Sequence, residues 1–386
     1  MRIKVYTLSA LGEALPLFPV YALIFADSGL SAAQISSLLL IWSAVAFALE
    51  VPSGALADRV SRRRLLIIAG LIRAVGCASL VTVPSYPIFA IGFVLWGVSS
   101  ALRSGTFQAL VYDELAATGH EKSYGRLIGT AGTISPLANV VATLAAAPLL
   151  VVGGYPLVGW VSAAVCVAVA VVSWTLPEQP RSRAVDGGVR GYLHTLRDGL
   201  TEARRNRAVF AVLIVLVCLN LGAIDEYVPL LLRGHGVPTV VIPILLAAQG
   251  VMIAAASWAA GRWSTTRLFV PAVALIVGAV ALAAGALIMH PVGFVGLAAA
   301  LTAITYVTVC AQIRLQHAIT GQARATVTSV AGLGRECAAL LTYGLIAGLS
   351  VGLPLTIAVA AMAIPMLLLG FTLPRLLGGR GSAGPS

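Results

Sequence analysis

Twelve apolar stretches, each near the length needed to cross a lipid bilayer, follow one another along this chain and leave no room for a soluble domain. A membrane-spanning helix needs about 20 mostly apolar residues. Boundaries set at Gly, Pro and charged clusters predict helices near 5–26, 33–57, 65–83, 86–110, 127–151 and 156–176, then near 208–232, 239–260, 268–289, 292–317, 324–349 and 353–373. Of the 386 residues, 59% are hydrophobic and 10% are charged. A soluble chain of that length would need a far more charged surface. The first run carries Glu13 but is long enough to span, so it reads as a helix rather than a cleaved signal.

A net charge of +11 raises the question of nucleic acid. The basic residues, however, form short clusters between apolar runs, not a stripe on a soluble fold. Placed against a membrane, 20 of the 25 Lys and Arg fall on one side, among them Arg2, Lys4, Arg59, Arg62, Arg63 and Arg64. Arg233 stands alone on the other side, and Arg73, Arg103, Arg314 and Arg335 fall inside helices. The positive-inside rule then places both termini in the cytoplasm of a multi-pass protein of the cell membrane. The five Cys all lie in apolar runs and read as small core residues.

Six helices, a charged linker and six more suggest a duplicated half. GALADRVSRRRLL (54–66) aligns without gaps to SWAAGRWSTTRLF (257–269), each between the second and third helices of its half. The expected organisation is an N-terminal bundle over 1–176, a cytoplasmic linker over 177–206 and a C-terminal bundle with a short tail over 207–386. Within the linker, 192–207 has the pattern of an amphipathic helix on the inner face. The expected fold class is therefore an all-α integral membrane protein, with twelve transmembrane helices in two pseudo-symmetric six-helix bundles.

The segment from Gly54 to Arg64 resembles the loop 2–3 signature of the major facilitator superfamily, with Gly54, Leu56, Asp58, Arg59, Arg62 and Arg63 matching and Ser61 standing where Gly is usual. The preceding Glu50-Val51-Pro52-Ser53-Gly54 and the stretch from Ser99 to Leu115 are similar to a bacterial branch with drug-efflux members. The resemblance implies a secondary transporter working by alternating access, with substrate at the midplane between parallel repeats. It also implies a conformational latch formed by Gly54, Asp58, Arg59 and Arg62, with Asp113 at the inner end of helix 4. Topology anchoring alone is the competing account of these Arg. The antiporter signature of helix 5 is degraded over Gly129 to Asn139: Pro136 survives and the later Gly pair is lost.

An ionisable side chain inside a span is costly, at least ~2.5 kcal/mol on insertion scales, and so marks a functional candidate. Glu13 has no basic neighbour on its own helix and sits near Pro16 and Pro19. It is the first candidate for proton coupling, with a structural hydrogen bond to a freed backbone group as the alternative. Asp225 and Glu336 are the other coupling candidates. Glu50 and Arg103 lie about 12 Å and about 15 Å above the inner loops, and with the second and fourth helices neighbours, as the resemblance implies, the two can pair, either structurally or for transport. The remaining candidates for a polar cavity wall are Asn220, Glu226, Tyr306, Gln312, Arg335 and Tyr343.

No Walker loop, zinc-ligand spacing or paired nucleophile and base is present in the sequence, so neither a catalytic nor a metal site is expected, and no cofactor. The expected partners are a small-molecule substrate, protons and the lipid bilayer, with no nucleic acid, and the expected unit is a monomer. Proton-coupled export of an amphipathic or lipophilic compound is the leading expectation, and uptake of a metabolite is the alternative. A membrane sensor or a lipid-modifying enzyme is the more distant one.

Overall fold

In the computed structural model, residues 1–178, 201, 206–220, 223–263, 269–319 and 324–377 are described, with backbone alone at 58, 263, 324–326, 328 and 329. Most of the 177–206 linker, including the expected helix over 192–207, lies outside the described residues.

The elements are helices throughout: α1 (Arg2–Glu13), α2 (Tyr21–Asp27), α3 (Ala32–Arg59), α4 (Arg62–Thr82), α5 (Tyr86–Arg103), α6 (Thr106–Ala117), α7 (Tyr124–Trp174), α8 (Arg207–Asn220), α9 (Val228–Gly234), α10 (Ile242–Trp263), α11 (Phe269–Leu287), α12 (Gly293–Ala318), α13 (Arg324–Leu349), α14 (Leu355–Ala361) and α15 (Ala363–Leu377). Among the described residues, ten helical segments are long and apolar enough to cross a membrane. One of these, α7, reverses at Gly154, whose φ of 60° and ψ of −160° are open to glycine and strained for other residues. Its second arm returns to the start of α1, where Lys4 Nζ donates to Thr175 O at 2.5 Å. Two arms give eleven crossings, and the broken segment α1–α2 is the twelfth.

Apolar periodicity located the spans but not the breaks within them. The expected helix over 5–26 is interrupted from Ala14 to Val20, because Pro16 and Pro19 cannot donate to the helical ladder. The fourth span, expected to end near 110, breaks at Ser104–Gly105 and continues to Ala117, with Gly105 at φ 68°. The seventh, expected over 208–232, is helical over Arg207–Asn220, non-helical at Ala223 and Ile224, and resumes through a 3-10 turn, Asp225–Tyr227.

Two compact units make up the chain: Met1–Gly191 with Pro238–Ala247, and Tyr192–Val237 with Ala248–Ser386. In the first, Phe18, Tyr21, Phe25, Phe89, Phe93 and Trp96 form one aromatic cluster, with Phe25 and Phe89 ring centroids 4.5 Å apart. In the second, α11 and α12 meet at Gly285, Gly293 and Gly296, where backbone touches backbone. Outward faces carry large apolar side chains, among them Val75, Val152, Trp174 and Phe371. A surface this apolar belongs in lipid, where helices satisfy their own backbone groups. The protein is a multi-pass membrane protein.

Candidate functional site

The first unit gathers its charges where its first span is broken. Pro16 has no N–H to give the carbonyl of Gly12, four residues back. Leu17, whose N–H would serve Glu13 in a continuous helix, donates instead to Ser162 Oγ at 3.0 Å. Two carbonyls are thereby freed within an apolar bundle, and a buried polar group without a partner is costly. Arg103, the last residue of α5, supplies one solution. Its Nη1 donates to Gly12 O at 3.0 Å and its Nη2 to Glu13 Oε1 at 3.3 Å. Arg73 on α4 reaches the same Gly12 carbonyl at 3.5 Å. The Glu13 carbonyl accepts from Leu15 N at 3.0 Å and from Asn139 Nδ2 at 3.5 Å.

Glycine at position 12 makes this fork possible. A Cβ there would lie 2.2 Å from Arg103 Nη2. Glu13 and Arg103 are neither sealed nor in bulk solvent, with side chains 40% and 28% exposed. Such an acid can be reached by a proton and still answer to its cation. Beside it, Arg73 lies over the Trp96 ring, 4.9 Å from Cζ to the centroid. On the α7 side of the break, Ala14, Pro16, Ile134, Leu137, Ala138 and Val141 line an open, wholly apolar groove of about 420 Å³.

The expected pair of Glu50 with Arg103 is not what the structure holds. Glu50 Oε1 instead accepts from Ser104 Oγ at 3.0 Å, while Arg103 turns to Gly12 and Glu13. Glu50 reaches the residue next to Arg103, but the freed carbonyl decides which way the guanidinium points. Gly12, Arg73 and Asn139 went unassigned in the sequence. Counting back four residues from Pro16 finds the Gly12 carbonyl, and with it the need for a donor.

The second unit has its own polar centre, at the break between α8 and α9. Asp225 and Glu226 open the 3-10 turn that ends in Tyr227. The Tyr343 phenol on α13 lies within electrostatic reach of Asp225, Glu226 and Glu336, and its ring centroid is 6.4 Å from that of Tyr227. Asp225 and Glu336 are exposed, Glu226 and Arg335 half-buried, and Tyr343 buried. Asn220 Nδ2 donates to Arg335 O at 2.7 Å and so ties α8 to α13. On α12, Tyr306 lies one turn before the buried Cys310, and Gln312 is half-buried.

In the basic loop between α3 and α4, Arg62 Nη1 pairs with Asp113 Oδ2 at 2.5 Å, as two expected members of the latch. The Asp58 side chain lies outside the described residues; Gly54 and Arg59 are exposed. Ser61 caps α4, accepting from Arg64 N at 3.1 Å. That gives the departure from glycine at this position a physical role. Glu178, unassigned in the sequence, completes the cap: its carboxylate accepts from Ser61 Oγ and from Arg62 N at 2.7 Å. Of the five Cys, Cys77, Cys166 and Cys310 are buried as expected of core residues, Cys218 is half-buried and Cys337 is exposed.

Residues 5–342 match the family model described as Major Facilitator Superfamily. No curated protein matches the chain. Among solved structures, the fold is similar to a bacterial homologue of the human lysosomal transporter Spinster, with a TM-score of 0.74, 18% identity, and 98% of this chain and 97% of that one covered. It is also similar to the nucleoside transporter NupG (TM-score 0.77, 13% identity, 98% of each chain) and to a D-xylose–proton symporter (TM-score 0.67, 15% identity, 96% and 97%).

Proposed function

The chain belongs to the Major Facilitator Superfamily, a transporter rather than an enzyme, and from that premise we propose that it is a proton-coupled secondary transporter of a small amphipathic or lipophilic organic compound. One observation carries the coupling: Glu13, at the broken first span, is paired with Arg103 yet still partly exposed. Protonating Glu13 removes one partner of the pair and leaves Arg103 free to rearrange, which couples a proton to the backbone joint of α1. The apolar groove beside the joint falls within the usual size range of small-molecule sites and suits a lipophilic cargo. Interrupted segments at corresponding places in the two halves, α1–α2 and α8–α9, mark the binding region in transporters built from repeats.

Export is the reading favoured by similarity to the drug-efflux branch. Uptake has one observation in its favour: since Glu13 already occupies Arg103, neutralising Glu13 suits a proton and an anionic cargo travelling together. A growth screen of a sensitised host against a chemical library identifies the compound, and proteoliposomes then decide direction. Accumulation driven by an acidic interior supports exchange; accumulation driven by an acidic exterior supports symport. Accumulation indifferent to both gradients overturns proton coupling.

Both termini lie in the cytoplasm on this reading, supported by the bias of Lys and Arg toward one side. In a background without native Cys, Val152→Cys is expected to label from outside with an impermeant reagent, and Ser182→Cys only after permeabilisation. The opposite pattern reverses the topology.

A further inference from the structure

We propose that Arg73 and Arg103 form a site for a small monovalent anion inside the first unit, filled by a free halide or by the carboxylate end of a cargo molecule. The first argument is charge. Two guanidinium groups share one carboxylate: Glu13 pairs with Arg103, and among the described residues no carboxylate pairs with Arg73. Glu50, the other acid at this depth, is bonded to Ser104. Arg73 has only a long bond to Gly12 O and the face of Trp96, and neither carries a full negative charge. An uncompensated cation inside an apolar bundle is costly, and a counter-charge relieves it.

The second argument is space. Arg73 and Arg103 are the charged residues lining a cavity of about 30 Å³ between α1, α4, α5 and the second arm of α7. That is room for one or two waters, and equally for a halide or a carboxylate head. Small residues, Gly12, Ala69 and Gly70, create the room. The third argument is unused hydrogen-bonding capacity. Arg73 Nε and Ser173 Oγ are fully buried without a partner, and both residues line this cavity. Waters in the cavity could serve these groups but would leave the positive charge uncompensated. An anion answers the hydrogen bonds and the charge together.

Trp96 provides the readout, since iodide held by Arg73 would sit close enough to quench its fluorescence. The purified full chain in lipid nanodiscs is titrated with iodide against isethionate at constant ionic strength. A saturable component of quenching is expected, lost in Trp96→Phe and in Arg73→Gln, with Ser173→Ala shifting half-saturation several-fold upward. Should Arg73→Gln fail to fold, the wild-type melting temperature decides, rising with chloride but not with the sulfonate isethionate as binding to the folded state requires. Displacement of iodide by acetate but not decanoate assigns the site to a free anion; displacement by both, with decanoate transported, assigns it to the cargo. Strictly linear quenching together with identical melting in chloride and isethionate overturns the proposal. Binding is read here without transport, so this site can fail while proton coupling stands, and the reverse.

Discussion

Glu13→Gln is expected to abolish gradient-driven transport while leaving a folded protein that still binds its compound and exchanges it without a gradient. Gln keeps the shape of the side chain, and its amide oxygen can still accept from Arg103, 3.3 Å from Glu13 Oε1 in the native pair. Arg103 keeps its bond to the Gly12 carbonyl, so the fold should survive the lost counter-charge, at a reduced stability that the melting temperature reads. Lost instead is the ability to take up and release a proton, so uphill accumulation in proteoliposomes should fall to background and its pH dependence should disappear. Gly12→Ala makes a useful companion because it changes no charge. Its added Cβ, 2.2 Å from Arg103 Nη2, pushes the flexible fork off the joint, and coupling should weaken several-fold with near-native expression. Normal uphill transport with unaltered pH dependence in Glu13→Gln would make Glu13 structural and pass the coupling role to Glu336 or Asp225.

That joint also shows where reading the sequence stops. Spans were legible because lipid demands a long apolar run for each crossing, and the loops between them are short and marked by charge or Gly and Pro. Breaks were not, because an apolar run looks the same whether its backbone is helical or unwound. Pro16 and Pro19 were visible, but the break follows only when their missing N–H groups are counted against the carbonyls four residues back. Position along a helix axis was likewise legible, as with Arg103 and Glu50, whereas the direction around the axis was not. The two lie at similar depth, yet Arg103 serves the carbonyl freed by Pro16 and Glu50 takes Ser104. Glu178 escaped notice because it stands beyond the last apolar run, and its role depends on the chain returning to the start of α4. The acids around Tyr343 were legible one by one, and the structure places them within reach of a single phenol.

Gly296→Val is expected to cost most of the folded yield, although the residue lies far in sequence from every charged candidate. A Cβ at Gly296 would fall 2.4 Å from Ala281 O and 2.8 Å from Gly285 Cα; one at Gly285 would fall 2.6 Å from Leu297 N. These neighbours are backbone atoms of the opposing helix, so nothing can give way unless α11 and α12 separate. Within lipid the two helices gain little from hiding apolar surface, and close packing is what holds them together. Overpacking typically costs about 1–3 kcal/mol and sometimes more, a large share of the ~5–15 kcal/mol that keeps a domain folded. Gly278→Ala tests whether backbone contact is the cause. Its Cβ would meet Ala303 Cβ and Met366 Cε, each at 2.7 Å, and a flexible Met can move aside. Monodisperse yield and melting temperature, read by fluorescence-detected gel filtration, should therefore fall sharply for Gly296→Val and slightly for Gly278→Ala. Equal losses would mean that volume alone matters at this interface. An unchanged Gly296→Val would mean that α11 and α12 can part without unfolding, and the polar residues Tyr306 and Gln312 on α12 would then lack the fixed support this packing gives them.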